Sequence, residues 1–368
     1  MTVRKETMMT YVEETPKVTE NNIGRATALV QPLKEEFLSG EYETIWIVAS
    51  GSSCNAAWCA RPFMRKYLGM EVKIVTPYTF IACEHDIREK DFIFVVSQSG
   101  YSTNSIEAMR VIREQGRKAI ALTGDCGSDI REVSDLLVDY GAGEETVGYV
   151  TKGVTALALY LMLFALETAY AEGKLPEKEK ELLYESFCKV PGAQKQVTEQ
   201  TLRCYEENKK LFTSMQNAYT IGCGAGYGVA MEGALKIGET IQIPAAAYES
   251  EEYIHGPNLQ LTPNYTVFAV DCGGRASARI RLIAEATRTI TDRVFLLTVD
   301  RQQKGRGVIY LDQELEEEIL PLAALPFFQI ISYRVTEDMH RWKKHPLFAE
   351  MEKIAASKTE NYIEKEES

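Results

Sequence analysis

The chain has 368 residues, 45% hydrophobic and 26% charged, and its 41 Lys and Arg against 53 Asp and Glu leave a net charge of −12. That length exceeds one ordinary core and suits two domains. The acidic balance argues against a nucleic-acid partner, which needs a basic footprint, but leaves room for an anion held by a few aimed donors.

Eight scattered cysteines, none in CxxC spacing, suggest no zinc knuckle or redox pair and read as reduced residues of a cytoplasmic protein. Residues 1–10 are charged and lack the apolar centre of a signal peptide. The apolar stretch 154–166 is too short to cross a bilayer and reads as a buried helix, so no membrane partner is expected.

In chain order, a polar helical extension runs to about residue 40. Residues 44–49 form an apolar, β-branched run that stops at Ser50-Gly51-Ser52-Ser53, and a helix follows over 55–68. Further strand runs lie at 72–75, 92–96, 119–122 and 136–138, with a helix at 105–115 and a long closing helix at 152–171. Short, nearly continuous apolar strands alternating with helices indicate a parallel sheet covered on both faces. Residues 173–191 are charged, punctuated by Pro176 and Pro191, and read as a helical linker. The pattern then restarts: a strand at 218–221, a small-residue turn at 222–226, a helix at 229–243, and strands at 266–270, 294–299 and 308–311. This is a weak internal repeat. The expected division is an extension over 1–40, a first domain over 41–190, a second over 191–338 and a charged tail over 339–368.

The loop Ser97-Gln98-Ser99-Gly100-Tyr101-Ser102 follows a buried strand and opens a helix. Ligands of open parallel sheets bind beyond the carboxyl ends of the strands. A helix N-terminus there offers unpaired N–H groups suited to phosphate. Ser97, Ser99, Ser102 and Thr103 add hydroxyl donors, and Ser52 and Ser53 end the first strand. An ordinary Ser/Thr cap and turn would carry the same residue types.

In the second half, Glu232, Lys236 and Glu239 fall at i, i+4 and i+7 on one helical face, a spacing also found on solvated faces with a mild ion pair. Glu249 to Pro257 is an acidic segment holding His255 before a Gly-Pro turn. A histidine can give and take protons near neutral pH, or simply cap a carbonyl. The exit of the third strand, Val270-Asp271-Cys272-Gly273-Gly274, is a poor phosphate site. Gly222-Cys223-Gly224-Ala225-Gly226 resembles a dinucleotide loop only weakly and lacks a clear ribose partner. No metal or cofactor is expected, and His340 and His345 read as structural.

Ser-Gln-Ser-Gly after a buried strand, Gly51-Ser52-Ser53-Cys54-Asn55 after the first strand, Ala142-Gly143-Glu144-Glu145-Thr146 with Thr151-Lys152, and Ala234-Leu235-Lys236 with Glu239 ahead of His255-Gly256-Pro257 together resemble the sugar isomerase (SIS) domain family. The likeness covers most of residues 40–360. It is nearest to the isomerase half of glucosamine-6-phosphate synthase and to the related 6-phosphate deglycases. It implies two tandem doubly wound, flavodoxin-like α/β domains, each with a mainly parallel five-stranded sheet, plus a C-terminal tail.

By the same resemblance, Ser52, Ser53, Ser97, Gln98, Ser99, Ser102 and Glu145 would bind the phosphate and sugar. Glu239 would move a proton between C1 and C2. Lys236 would stabilise enolate charge. His255 would open the ring or protonate the leaving amine, with Glu252 orienting it. Lys358, in Ala356-Ser357-Lys358-Thr359, matches the family's tail lysine, although one more solvated lysine would look the same. Val150 stands where the synthase has a serine, which alters the contacts to the sugar ring. The resemblance implies a homodimer in which His255 acts across the interface. The synthase's glutaminase half and its N-terminal cysteine have no counterpart here, so ammonia production from glutamine is not expected. The expected reaction is cleavage of a 6-phosphorylated Amadori compound (a fructosamine or fructoselysine 6-phosphate) to a hexose 6-phosphate and an amine. The alternatives are an aldose–ketose or deaminating isomerase of an amino-sugar phosphate, and a non-catalytic phosphosugar sensor. The acidic segment from Glu249 to Glu252 would suit a cationic amine.

Overall fold

The computed structural model describes residues 6–363. Helices α1 (Met8–Gly24) and α2 (Ala26–Leu38) lead into a sheet of β1 (Thr44–Ala49), β2 (Glu71–Val75), β3 (Asp91–Val96), β4 (Ile120–Thr123) and β5 (Leu136–Asp139), ordered β2-β1-β3-β4-β5. The second sheet comprises β6 (Asn217–Gly222), β7 (Ala245–Glu249), β8 (Tyr265–Asp271), β9 (Val294–Thr298) and β10 (Val308–Tyr310), ordered β10-β9-β8-β6-β7. Every pairing is parallel, and read from its β2 or its β7 edge each sheet runs second-first-third-fourth-fifth strand. The expected tandem, doubly wound architecture is what the chain adopts.

Side chains alternate across each strand and so sort into layers. Ile45, Ile47, Phe92 and Phe94 of the first sheet, and Phe268, Val270, Phe295 and Leu297 of the second, face one shared core. That core is filled by α3 (Gly51–Leu68), α6 (Lys152–Ala171), α7 (Glu177–Thr213), α8 (Ala225–Lys236) and α11 (Pro321–Met339). The first sheet's other face, with Trp46, Val48, Ile93 and Val95, packs on α4 (Pro77–Ala82) and α5 (Thr103–Glu114). The second sheet's other face, with Tyr219, Ile221, Val267 and Ala269, packs on α9 (Ser250–Ile254) and α10 (Ser277–Thr287).

By length and composition α6 is apolar enough to cross a membrane, yet 89% of its most apolar window is buried inside the protein. Its apolarity is used on every side at the centre of the shared core. Helix α7 runs unbroken through Pro191 and departs from helical geometry only at Asn208. Buried Phe187, Val190, Ala193 and Val197 hold it against the core, and this packing offsets the backbone hydrogen bond a proline forfeits. Strand β7 lies outside every strand run read from the sequence. Its Ala245-Ala246-Ala247 has little intrinsic strand preference, and pairing with β6 along the sheet edge imposes the conformation.

Helices α3 and α8 cross antiparallel at close range. A Cβ on Gly228 would lie 2.4 Å from the Cys59 amide nitrogen, so only glycine allows this approach. One consequence fixes the site: the first turn of α3, at the carboxyl end of the first sheet, lies beside the last turn of α8, at the amino end of the second.

Candidate active site

The serine loop leaves β3 and is shaped by its own hydroxyls. Ser97 Oγ accepts from the Gly100 amide at 3.2 Å, and Ser99 Oγ accepts from the Tyr101 amide at 3.3 Å. Gly100 has φ +69, and a Cβ there would lie 1.7 Å from Ser128 Oγ, so the loop admits no other residue without moving. Ser102 holds the cap position of α5, but its hydroxyl makes no capping bond. It is therefore not the ordinary helix cap that its position suggested. Ser52 and Ser53, expected in the turn after β1, lie inside the first turn of α3 and are buried.

The second half contributes a buried charge cluster. Lys236, 1% exposed, places Nζ 2.5 Å from Glu239 Oε1, 3.2 Å from Glu232 Oε1 and 3.1 Å from Ser52 Oγ. Ser52 Oγ donates to Glu232 Oε1 at 2.9 Å, and Asn55 Nδ2 donates to its other oxygen at 2.8 Å. The three hydrogens of the ammonium thus have three acceptors, one of them from the first half. Asn55 was missed from the sequence. Its signal was its place one turn after Ser52 on the same face of α3.

Glu239 is not on the regular helix. It sits in a π-helical turn, Ile237–Ile241, that ends on Gln242 in the left-handed region at φ +60. Such turns are rare and frequent at functional sites. Burial raises the Glu239 carboxyl above the ordinary glutamate range, and the Lys236 ammonium pulls it partly back. Burial also works against the charge on Lys236, but Glu232 and Glu239 outweigh it and hold the ammonium above its usual range.

The tail runs from the Glu239 turn to the serine loop. At one end Arg341 Nη1 donates to the Ile241 carbonyl at 3.0 Å, and Gln242 Nε2 donates to the carbonyls of Arg341 and Lys343. At the other end Lys358 Nζ donates to Ser99 Oγ at 2.8 Å and Ser102 Oγ at 3.1 Å. Around it, the Thr103 amide donates to the Ser357 carbonyl and the Thr359 amide to the Tyr101 carbonyl. Lys358 is thus placed on the serine loop, and burial lowers its pKa.

Glu145 is buried, and its two oxygens take the amides of Thr151, Lys152 and Gly153 at 2.8, 2.8 and 3.1 Å. It therefore fixes the start of α6 rather than presenting a carboxylate to a ligand. A Cβ on Gly153 would approach Val150 Cγ1 at 3.1 Å and Gln98 Cγ at 3.4 Å, which puts Val150 beside the serine loop. In the second half Asp271 is buried and paired with Arg281 Nη1 at 3.0 Å and Thr298 Oγ1 at 2.7 Å, so its exit from β8 holds no phosphate cradle.

His255 and Glu252 are not brought to this cluster. Glu252 lies within α9 and His255 just beyond its end; Tyr253 anchors α9 to the second sheet's outer face, whereas α8 and the Glu239 turn pack on its inner face. Both side chains are exposed, and the Glu252 carboxylate has no side-chain partner among the described residues. Of the other acidic groups there, Glu249 caps α9 and Glu251 pairs with Arg279 at 2.5 Å. A hollow at the amino ends of the first sheet, lined by Tyr42, Lys90 and Arg117 among others, lies at the opposite end from the serine loop.

Comparison with known proteins agrees with this fold. Over 306 residues the chain is 27% identical to a glutamine–fructose-6-phosphate aminotransferase (isomerizing) from Thermotoga maritima, covering 82% of this chain and 50% of that protein. The chain spans about half the length of the curated relatives it matches. A proposed phosphosugar isomerase from Clostridium difficile 630 superposes with TM-score 0.86 at 24% identity, covering 97% of this chain and all of that one. The C-terminal domain of glucosamine-fructose-6-phosphate aminotransferase from Francisella tularensis superposes with TM-score 0.84 at 22% identity, covering 93% of this chain and 98% of that one. The SIS domain profile matches residues 41–166 and 211–296, more than half of the sequence, and the chain belongs to the SIS domain family.

Proposed function

We propose that the chain is a phosphosugar-processing enzyme that removes the amine from a 6-phosphorylated Amadori compound. The observation that carries this is the contact of Lys236 with both Glu239 and Ser52, which joins a proton-transfer group of one half to the serine-bearing end of the other. The phosphate would sit on the loop of Ser97, Gln98, Ser99 and Ser102, with Lys358 turning from the hydroxyls to the anion. Ser53, in the neighbouring turn of α3, would complete that pocket.

Glu239, kept from easy ionisation by burial, is suited to take a proton from C1 and return it to C2 near neutral pH. The C2 oxygen gains a proton as the nitrogen gives up its own, so the ketone at C2 becomes a hydroxyl and the C1–N bond becomes an imine. Water adds at C1, the C1–N bond breaks, the amine leaves with a proton, and the aldehyde of a hexose 6-phosphate remains. Since the donors of Lys236 are already engaged, it acts as a fixed charge that orients Glu239 and favours developing negative charge at the C2 oxygen. Direct contact with that oxygen requires Ser52 to give up its share.

His255 is proposed to act in the site of a second copy. The support is its position across the second sheet from Glu239 in its own chain. Glu252, exposed beside it, would orient it or meet a cationic amine. A second reading, an aldose–ketose or deaminating isomerase of an amino-sugar phosphate, is favoured by the isomerizing aminotransferases among the relatives.

The test offers the purified chain fructoselysine 6-phosphate, related Amadori phosphates and glucosamine 6-phosphate, following amine, ammonia and hexose 6-phosphate. Release of hexose 6-phosphate from the Amadori compounds supports the first reading, and turnover of glucosamine 6-phosphate alone supports the second. Binding without turnover of any of them overturns both.

A further inference from the structure

Between Arg341 and Lys358 the tail forms a short helix, α12 (Phe348–Ile354), with none of its residues buried. Leu347, Phe348, Met351 and Ile354 are all exposed, Ile354 at 88%. Their spacing puts them on one side of the helix, an apolar stripe of the kind that a surface helix normally buries. The helix is nevertheless held in place, because the tail is tied to the Ile241 carbonyl on one side and to Ser99 and Ser102 on the other.

The second sheet's outer face carries a mainly apolar hollow of about 300 Å³ between α9 and α10. Its walls include Tyr253, Ile254, Leu261, Leu282, Ile283 and Ile290. Asn258 also lines it, and its side-chain oxygen is buried without a hydrogen-bond partner among the described residues. Leu259, 87% exposed, projects from the same loop. His255 directly follows Ile254, so this hollow travels with the histidine.

We propose that the apolar side of α12 docks into the α9–α10 hollow of a second copy of this chain. The inference rests on the reading that His255 serves a neighbouring copy's site. If it does, the loop delivering it must approach the Glu239 cluster and the serine loop, and α12 lies on the tail between its anchors at these two places. The hollow beside His255 and the stripe on α12 then meet, two exposed apolar surfaces cover one another, and a polar group of the tail can reach Asn258. The neighbour would thereby brace the tail whose lysine rests on the phosphate loop.

Photo-cross-linking of the full chain tests this. A benzoylphenylalanine replacing Ile354 is irradiated in an equal mixture of ¹⁴N- and ¹⁵N-labelled protein, with sedimentation run alongside. The expected result is a dimer whose mixed-isotope cross-links map to residues 253–290. A monomer at micromolar concentration overturns the trans reading and this inference together. A dimer whose cross-links fall elsewhere, or only within one chain, overturns the inference and leaves the trans reading standing. As a second measure, Met351→Glu with Ile354→Glu, both at exposed positions, should raise the dimer dissociation constant at least about tenfold, as removal of anchor contacts does. An unchanged constant would count against the docking.

Discussion

Replacing Lys236 with methionine probes the joint between the two halves most directly. The substitution keeps much of the side chain's volume but deletes the ammonium, leaving Glu232, fully buried, and Glu239 facing each other without the cation between them. Breaking a buried ion pair by removing one partner costs about 3–5 kcal/mol. Both sheets share one core, so the chain should melt as one unit. With an unfolding entropy of about 2 cal/mol/K per residue, a 368-residue unit then loses roughly 4–7 °C in melting temperature. The assay is differential scanning calorimetry near pH 7. Adding Glu232→Gln removes the surplus charge and should restore part of the loss, although the single carbonyl oxygen of the new amide cannot serve Ser52 and Asn55 as the two carboxylate oxygens do. A melting temperature within about 1 °C of wild type for Lys236→Met, against that expected shift, would refute the claim that this lysine compensates the buried carboxylates. A double variant no more stable than the single one would refute it equally.

Glu239 should set the acid limb of the pH–rate profile. Its carboxyl is raised in the folded chain, so the folded state favours the protonated form, and the stability this lends at low pH is lost as pH climbs through the raised value. Activity needs the ionised form, so the limb should lie above the ordinary glutamate range and move higher in Lys236→Met, which a pH series of kcat/KM would show. Gly100→Ala should lower hexose 6-phosphate affinity by about 10-fold or more, because relief of the Ser128 overlap displaces the loop at a cost of about 1–3 kcal/mol; calorimetric titration checks it. Glu145→Ala strips a buried acceptor from three amides and should cost about 2 kcal/mol in urea unfolding, in line with other unsatisfied buried groups. Mixing inactive Glu239→Gln and His255→Asn chains should restore about a quarter of wild-type turnover if the site is shared across a two-fold dimer, and none if each chain is self-sufficient.

Much of this arrangement was readable before the structure. The apolar runs of β1 and β3 and the serine loop behind β3 declare a doubly wound sheet and its ligand end, because buried parallel strands need continuous apolar sequence. Lys236 and Glu239 were legible as a pair on one helical side. What stayed hidden depends on non-local contacts. β7 is an alanine-rich edge strand whose conformation comes from its neighbour, and the π-helical turn leaves no mark in residue spacing. Asn55 and Glu232 look like unrelated polar residues until α3 and α8 cross at Gly228. Glu145 matched a motif, but only the fold reveals that its oxygens are consumed by the start of α6. Helix α7 shows the converse: Pro191 reads as a break, and packing overrules it.

The shared core also limits how the site can be entered. A protein that closes like a pair of jaws needs a thin seam between lobes, and here α3, α6, α8 and α11 weld the two sheets through their inner faces. Opening that seam would expose the most apolar part of the molecule. Traffic into and out of the pocket therefore falls to its exposed segments, the tail foremost among them. Substitutions along that strap should alter how fast product escapes while leaving the proton-transfer step at its native pace.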